Sequence, residues 1–301
     1  MWTSKRDLVT MHGAEASAIR SVLHDAHWDE WEGDECTGKT VANLFFEDST
    51  RTRVSFSMAA GSLGARPVDL TALGSSMSKG ETLLDTVWTI ESMGFSAIVI
   101  RHGEDDAAAM VASRVHCPVI NAGSGRSQHP TQALGDALVI GEAHDRTDGW
   151  DFSGLRVVIV GDIVSSRVAG SNIDSLRMLG AEIVLVGPGA MVPDGFMGCT
   201  VERDLDGVIE SADAVMMLRI QFERGAGELV GARDEYVRDY QLSEQRAKAM
   251  KPGAIVMHPG PMNRDLEIAS AVADGGQSKI RKQVNAGVRV RRAVLNHALD
   301  G

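Results

Sequence analysis

The sequence predicts an α/β protein with two doubly wound parallel-sheet domains that are joined by interdomain helices. Three observations support this prediction: short apolar runs, longer amphipathic stretches between them, and the repetition of this alternation in both halves of the 301-residue chain. Continuously apolar strands are typical of parallel sheets whose two faces are covered by helices. The intervening helices supply the crossover connections that parallel strands require.

The first half of the chain contains four predicted strands and three predicted helices. The strands are Val41–Phe46, Pro67–Leu70, Ala97–Ile100 and Pro118–Asn121. The helices between and around them are Arg53–Leu63, Glu81–Met93 and Asp105–Ser113. Gly64 and Gly94 follow two of these helices, where a left-handed C-cap favours glycine.

The second half repeats this organisation. Its predicted strands are Leu155–Val160, Glu182–Val186, Ala214–Leu218 and Ala254–Met257. Its predicted helices are Ser171–Leu179 and Gln241–Met250, with a connecting helix at Thr131–Ala143 and a final helix at Ile280–Leu299 that packs back on the first domain. We therefore expect one domain of residues 1–130 plus 281–301 and a second domain of residues 131–280.

Composition and charge narrow the class of protein. Apolar residues make up 44% of the chain, and 30 basic against 41 acidic residues give a net charge of −11. Such a chain does not attract nucleic acid or anionic membranes over its whole surface. No apolar run is long enough to span a bilayer, and the N-terminus lacks a signal-peptide pattern, so we expect a cytoplasmic protein. The three cysteines match no metal spacing, which favours isolated thiols.

The segment Ser49-Thr50-Arg51-Thr52 is the most informative one for chemistry. It follows a predicted strand and opens a predicted helix, whose first backbone N–H groups and dipole favour an anion. Hydroxyl and guanidinium donors add directed hydrogen bonds to phosphate oxygens. The alternative is an ordinary Ser/Thr cap beside solvated arginines.

Three further features of the first half carry polar side chains. His129 precedes Pro130 at the mouth of a helix, and Gln132 lies on its first turn, so both could orient a small polar group; a simple helix cap is the alternative. Arg101 ends a buried strand and either serves a ligand or pairs with an acid. Ser75 and Lys79 lie in a small-residue loop, where a solvated lysine is the alternative.

The second half offers arginines just beyond strand ends. Arg167 follows Gly161-Asp162, and Arg219 and Gln221 have the i, i+2 spacing that places side chains on one face of a strand. Two solvated arginines at loop starts are the alternative. Pro259 and Gly260 belong to a turn, His258 to Pro261, whose carbonyl groups two prolines direct; a purely structural turn explains that segment equally well.

The order of these segments resembles the catalytic chain of the aspartate carbamoyltransferases, within the aspartate/ornithine carbamoyltransferase superfamily. The matching motifs are Ser-Thr-Arg-Thr, Lys-Gly-Glu-Thr, Arg-His, His-Pro-Thr-Gln, Gly-Asp with a following Arg, Arg-x-Gln-x-Glu-Arg and His-Pro-x-Pro. They extend from about Val41 to about Leu295, whereas the region before Thr40 matches poorly. The resemblance implies carbamoyl transfer from carbamoyl phosphate to L-aspartate, an early step of pyrimidine biosynthesis.

The resemblance also implies roles for individual residues. Carbamoyl phosphate would be bound by Ser49, Thr50, Arg51, Thr52, Ser75, Lys79, Arg101, His129, Gln132, Pro259 and Gly260. L-aspartate would be bound by Lys79, Arg167, Arg219 and Gln221. The catalytic group among them would be Arg51, Thr52, Lys79, Arg101, His129 and Gln132. The reaction needs no redox step or metal, so the resemblance implies no cofactor.

Assembly follows from the same resemblance. It implies a homotrimer in which Ser75 and Lys79 enter the active site of a neighbouring subunit. Whether a regulatory chain or a dihydroorotase also binds is left open by the sequence. We expect neither a nucleic acid nor a membrane as a partner.

Two glycines depart from the family pattern. Gly135 stands in a helix where the family usually has leucine, at a cost of roughly 1 kcal/mol relative to alanine. Gly260 also replaces a leucine, but its expected role uses the backbone carbonyl. Neither change removes a catalytic side chain.

Two other functions compete with aspartate carbamoylation. An ornithine-type transferase should have an acid for the cationic acceptor and a Cys before Leu-Pro, whereas this chain has His258-Pro259-Gly260-Pro261 and Arg219 with Gln221. An inactive scaffold relative should have lost phosphate or oxyanion residues, and every one of those positions carries the expected type. Both observations favour an active enzyme with an anionic acceptor.

Overall fold

The computed structural model describes residue 3 and residues 6–28, 33–71, 81–220 and 233–300. The chain divides into two compact units, Met1–Leu138 with Val284–Gly301 and Val139–Gln283. The expected domain boundaries, after residues 130 and 280, lie slightly earlier in the chain. Both structural boundaries fall inside continuous helices, Pro130–Ala143 and Ile280–Leu299. The expected boundaries were instead drawn near the start of each helix.

The first unit is built on a parallel sheet of four strands. Its elements are α1 (Ala16–Trp28), β1 (Thr40–Phe45), α2 (Thr50–Ser62), β2 (Arg66–Thr71), α3 (Leu83–Ser92), β3 (Ala97–His102), α4 (Ala107–Ala112), β4 (Val119–Ser124) and the start of α5 (Pro130–Ala143). The strand order is β2-β1-β3-β4. β1 pairs in parallel with β2 and β3, which places Val41 opposite Pro67 and Ala97.

Helices cover both faces of this sheet. On one face, Ala42 and Leu44 of β1 pack in a common core with Val87 of α3 and Val111 of α4. On the other face, the Asn43 amide donates to the Ser57 hydroxyl of α2 at 3.0 Å. Because successive strand residues point to opposite faces, these contacts place α3 and α4 on one side and α2 on the other.

The second unit is built on a parallel sheet of five strands. Its elements are the end of α5, then β5 (Arg156–Val160), α6 (Arg167–Met178), β6 (Glu182–Val186), a 3₁₀ helix (Phe196–Gly198), β7 (Thr200–Glu202), α7 (Asp206–Ile209), β8 (Ala214–Met217), α8 (Arg233–Tyr240), α9 (Glu244–Ala249), β9 (Ile255–Met257), α10 (Ser270–Ala273) and the start of α11 (Ile280–Leu299). The strand order is β7-β6-β5-β8-β9. Alternate residues of its strands, such as Val158, Val184 and Val215, pack against Val208 of α7 and Ala247 of α9.

Two parallel-sheet α/β units confirm the predicted fold class. All eight predicted strands are present, with ends that shift by a few residues. The sequence prediction did not include α1, β7, α7, α8 or α10. Four of these elements are short. The helix α1 is longer and buries Ile19, Val22, Leu23 and Ala26 at helical spacing, so an amphipathic pattern in the sequence could have predicted it.

Within the described part of the chain, no helix combines the length and the apolar character needed to cross a bilayer.

Candidate functional site

In the first unit, the predicted site residues follow three adjacent strands. Ser49–Thr52 come after β1, Arg101 lies at the end of β3, and His129 and Gln132 come after β4. Parallel strands present their carboxyl ends at one edge of the sheet, where open α/β sheets bind ligands. The fold therefore brings these segments, which we call the first-unit cluster, to a common edge.

The N-terminus of α2 carries the predicted hydroxyl and guanidinium groups. Ser49 is the N-cap residue, but its side chain makes no capping hydrogen bond, which differs from the ordinary Ser/Thr cap considered above. Thr52 is buried and Arg51 is exposed. Unpaired N–H groups at a helix start and the helix dipole both favour an anion at this position.

Arg101 is held between two neighbouring strand ends. Its Nη1 donates to the carbonyl of Ala122 at 3.1 Å, and its Nε lies 3.5 Å from Oε2 of Glu47. Its own carbonyl accepts the Phe46 N–H at 2.9 Å. Of the two possibilities considered for Arg101, the structure shows the pairing with an acid. The Glu47 pairing fixes the guanidinium without excluding a ligand from its remaining donors.

His129 and Gln132 lie at the start of α5. His129 is buried, and its carbonyl accepts the N–H groups of Gln132 at 3.0 Å and Ala133 at 3.3 Å. The Gln132 amide nitrogen donates to Oδ1 of Asp136 at 2.8 Å. This bond leaves the amide oxygen of Gln132 as an acceptor whose direction Asp136 determines.

Asp136 and Arg291 are functional candidates that sequence reasoning missed. Asp136 is fully buried and Arg291 is 4% exposed, with its guanidinium carbon 5.2 Å from the centroid of the Phe56 ring. Burial lowers the pKa of Arg291 to about 10; the nearby Asp136 carboxylate opposes this shift, and Arg101 adds to it. Asp136 could have been noticed as an acid one turn after Gln132 in a mostly apolar helix, whereas nothing local marks Arg291.

In the second unit, the predicted residues again follow three adjacent strands. Arg167 comes after β5, Arg219 after β8, and Pro259 and Gly260 after β9. We call these segments the second-unit cluster. They too lie at the carboxyl edge of a parallel sheet.

Arg167 is the first residue of α6 and is 6% exposed. Ser166 caps this helix by accepting the Ala169 N–H at 3.3 Å, and Asp162 Oδ1 accepts the Ser165 N–H at 3.3 Å. These bonds fix the turn that delivers Arg167. Gly161 begins this turn with φ +122, and an added Cβ would lie 2.9 Å from the Leu218 carbonyl oxygen. Both the backbone conformation and the lack of space therefore favour glycine at this position.

Arg219 is half-buried and lies just past β8. The next residue, Ile220, is buried, and its carbonyl accepts the Asn263 amide at 3.3 Å. The segment that carries Arg219 is therefore tied to the chain that follows the His258–Pro261 turn.

The turn itself is organised by His258. Its ring Nδ1 accepts the Gly260 N–H at 2.8 Å, and its backbone N–H donates to Oε1 of Gln283 at 2.9 Å. Gly260 has φ +66, in the left-handed region, and its bond to Pro261 is cis. Glycine adopts this φ without the strain that a residue with a Cβ would meet in the same backbone.

Three predicted site residues, Ser75, Lys79 and Gln221, lie outside the described residues. Arg224, which ends the motif that contains Gln221, also lies outside them.

Each unit thus places groups that can bind anions at one edge of a parallel sheet. These are hydroxyl, guanidinium and imidazole groups in the first unit, and arginines with a carbonyl-bearing turn in the second. The fold and these clusters define the class: an α/β protein of two parallel-sheet units, each equipped for a small polar or anionic ligand.

Comparison with known proteins identifies the family. Residues 6–142 match the carbamoyl-P binding domain, and residues 153–298 match the Asp/Orn binding domain, of the aspartate/ornithine carbamoyltransferases. The aspartate carbamoyltransferase catalytic subunit of Myxococcus xanthus is 48% identical over 296 residues, which cover 96% of this chain and 98% of that protein. The corresponding subunit of Beijerinckia indica is 50% identical over 260 residues, covering 86% of this chain and 80% of that protein.

Solved structures agree. Aspartate transcarbamoylase from Trypanosoma cruzi, in complex with carbamoyl phosphate and aspartate, has a TM-score of 0.84 at 27% identity and covers 97% of this chain and 96% of that one. Ornithine carbamoyltransferase from Pyrococcus furiosus has a TM-score of 0.85 at 28% identity and covers 98% and 97% of the two chains. The chain belongs to the aspartate/ornithine carbamoyltransferase family, which confirms the resemblance inferred from the order of its motifs.

Proposed function

We propose that this chain transfers the carbamoyl group of carbamoyl phosphate to the amine of L-aspartate, giving N-carbamoyl-L-aspartate and phosphate in pyrimidine biosynthesis. The observation that carries the proposal is the first-unit cluster, in which an uncapped, hydroxyl-bearing helix start shares a sheet edge with Arg101. Relatives with 44% to 50% identity that bear the name aspartate carbamoyltransferase catalytic subunit support the choice of reaction.

The first-unit cluster is suited to carbamoyl phosphate. The N–H groups of α2, with Ser49, Thr50, Arg51 and Thr52, supply donors for the phosphate oxygens. Arg101, Thr52 and His129 are the donors proposed for the carbamoyl oxygen. Attack by a neutral amine on the carbamoyl carbon gives a tetrahedral oxyanion, and donors already directed at that oxygen lower the barrier. The bond between the carbamoyl carbon and the phosphate oxygen then breaks, and phosphate leaves with the proton that the attacking nitrogen gives up, its negative charge matched by the same helix start.

The second-unit cluster is suited to a dicarboxylate acceptor. Arg167 and Arg219 provide two guanidinium groups for two carboxylates, and a bidentate pair adds geometric specificity. The carbonyl groups of Pro259 and Gly260 accept hydrogen bonds from N–H donors, such as the carbamoyl amide and the incoming amine. Neither role requires a metal or a redox cofactor.

The acceptor cannot be read from the fold, because aspartate and ornithine enzymes give almost equal TM-scores with this chain. Two arginines in the second-unit cluster favour an anionic acceptor, since ornithine has a cationic side chain. The name of the Myxococcus xanthus relative, aspartate carbamoyltransferase catalytic subunit at 48% identity over 96% of this chain, points the same way.

We also propose a cytoplasmic homotrimer in which Ser75 and Lys79 serve a neighbouring active site. The family resemblance is the main support for this assembly. Val54 and Met58, one turn apart on α2, are 46% and 58% exposed, and such an apolar pair is a surface that a second copy would cover.

The decisive experiment offers the purified chain carbamoyl phosphate with L-aspartate or with L-ornithine, in separate reactions, and follows ureido product and phosphate together. We expect product with aspartate only. Product with ornithine only would overturn the acceptor assignment, and product with neither, from a folded protein, would overturn the proposed reaction.

The variant Arg51→Ala tests the phosphate cluster in the same assay. Losing one preorganised donor should lower turnover by about a hundredfold or more. Arg51 is exposed, so the unfolding midpoint should stay close to that of the wild type. Near-normal turnover in a correctly folded variant would remove Arg51 from the site.

A further inference from the structure

The second unit contains a buried polar network centred on the carboxylate of Glu267. The side chains of Glu267 and His258 are both 0% exposed, and Oε1 of Glu267 lies 3.1 Å from Nε2 of His258. The same Oε1 accepts the backbone N–H of Asn263 at 2.5 Å. One carboxylate oxygen therefore binds two residues of the segment that follows β9.

The hydrogen bonds determine the tautomer of His258. Nδ1 accepts the Gly260 N–H at 2.8 Å, so it carries no proton. The ring proton is then on Nε2, which donates to Glu267. The imidazole thus links the Glu267 carboxylate to the backbone of Gly260, as a carboxylate orients an imidazole in other active sites. Rotation of the ring would break both bonds at once.

The second branch of the network reaches the Arg219 segment. The side chain of Asn263, whose backbone N–H is bound by Glu267, donates to the carbonyl of Ile220 at 3.3 Å. Ile220 is the residue directly after Arg219. Glu267 is therefore connected to both parts of the second-unit cluster: the turn with Pro259 and Gly260, and the strand end with Arg219.

Stability alone is a poor reason for this arrangement. A buried carboxylate is costly to desolvate, and well-packed apolar residues often replace buried polar groups without loss of stability. The second oxygen of Glu267, Oε2, is buried without a hydrogen-bond partner among the described residues, so the carboxylate is not fully satisfied. The bonds that it does make all lead to the cluster.

We propose that Glu267 is a positioning residue for carbamoyl transfer. Through His258 it fixes the direction of the Pro259 and Gly260 carbonyls, and through Asn263 it fixes the strand end that carries Arg219. This inference rests on the proposed function, because it assumes that the second-unit cluster holds the acceptor. Glu267 itself touches no substrate in this role.

The variants Glu267→Ala and Glu267→Gln separate positioning from charge. The alanine variant removes both bonds, so turnover should fall by about a hundredfold, the order expected for a misplaced reacting group, and KM for aspartate should rise. The glutamine variant keeps an amide oxygen that can accept both bonds, so it should restore most of the activity. Binding of inorganic phosphate, measured by its inhibition of the reaction, should be unchanged in both, because the phosphate is assigned to the first-unit cluster.

A matched control is Val184→Ala, a fully buried residue of β6 in the same unit, two strands away from β8 in the sheet. It should lower the unfolding midpoint but leave kcat and both KM values close to wild type. Asn263→Ala tests one branch without disturbing the buried pair, and it should raise KM for aspartate several-fold while leaving KM for carbamoyl phosphate unchanged.

Unchanged aspartate kinetics in a folded Glu267→Ala protein would overturn the positioning role. If that variant does not fold, unchanged aspartate kinetics in Asn263→Ala would overturn it instead. A wild-type chain without activity toward aspartate would reject the proposed function, which is a different outcome from an active wild type that tolerates these substitutions.

Discussion

At the scale of single residues, polar side chains of the first unit are oriented by acids that lie elsewhere in the sequence or on a neighbouring helical turn. Glu47 lies 3.5 Å from Nε of Arg101, and buried Asp136 accepts from Gln132 at 2.8 Å while its charge favours the charged form of Arg291. The contacts with these acids restrict the orientations of long, flexible side chains. Such preorganisation is what electrostatic stabilisation of a transition state requires.

Asp136→Ala should destabilise the protein. The substitution removes the acceptor of the Gln132 amide and a carboxylate whose charge favours the charged form of buried Arg291, so a cost of about 1–3 kcal/mol is expected. Urea unfolding of the variant measures the change in the free energy of unfolding. The double variant Asp136→Leu with Arg291→Met, which removes both charges, should regain part of the loss. A single variant as stable as the wild type would show that the Asp136 carboxylate does not stabilise buried Arg291.

At the scale of elements, α5 and α11 meet through glycine in the first unit. A Cβ added to Gly135 would lie 3.5 Å from Cα and N of Gly287, an ordinary van der Waals distance, whereas a Cβ on Gly287 would meet Nη1 of Arg291 at 2.5 Å. Glycine inside a helix costs roughly 1 kcal/mol relative to alanine. The structure adds that this position faces the backbone of α11 and has room for little more than a methyl group.

Gly135→Ala should therefore be tolerated and should stabilise the protein by up to about 1 kcal/mol, because alanine is the better helix former. Gly135→Leu should be destabilising by about 1–3 kcal/mol, since the longer side chain overpacks against α11. Thermal unfolding of both variants beside the wild type measures the difference. A leucine variant that is more stable than the alanine variant would contradict the close packing of α5 against α11 at this position.

The elements that could be predicted are those with a long local signal. The largely apolar strands β1, β3, β5 and β6 were predicted correctly because a short apolar run is recognisable without knowledge of the neighbouring strands. The three-residue β7 is partly exposed, and α7 and α10 have four residues each, too few for a helical repeat to stand out. They form because neighbouring strands and helices complete them, which is tertiary information.

At the scale of the whole molecule, each unit contains a histidine with a lowered pKa. Burial lowers the pKa of His144 in the second unit, opposed by Asp213, and burial also lowers the pKa of His297 in the first unit, with Arg6 adding to the shift. These two histidines are therefore harder to protonate in the folded protein than in the unfolded chain, where their pKa has the ordinary value of 6.5.

The lowered pKa values make the stability of the protein depend on pH. Because the unfolded state binds more protons below the ordinary value of 6.5, stability should fall as pH decreases through 6.5 toward the lowered folded pKa values. Thermal unfolding across this range should show a decreasing midpoint, and the variant His144→Gln with His297→Gln should show a flatter dependence. A slope that is equal in both proteins would assign the effect to other groups.

The sequence by itself determined the fold class, the placement of most strands and the order of motifs that identifies the family. These features are encoded in residues near each other in the chain, through apolar periodicity and through strand-to-helix turns such as the one with Ser49–Thr52. Only the tertiary structure decided that Asp136 and Arg291 are near each other and that Glu267 orients His258. The energy of a buried charge depends on which distant side chain packs beside it and on the exclusion of water, and no local pattern specifies either.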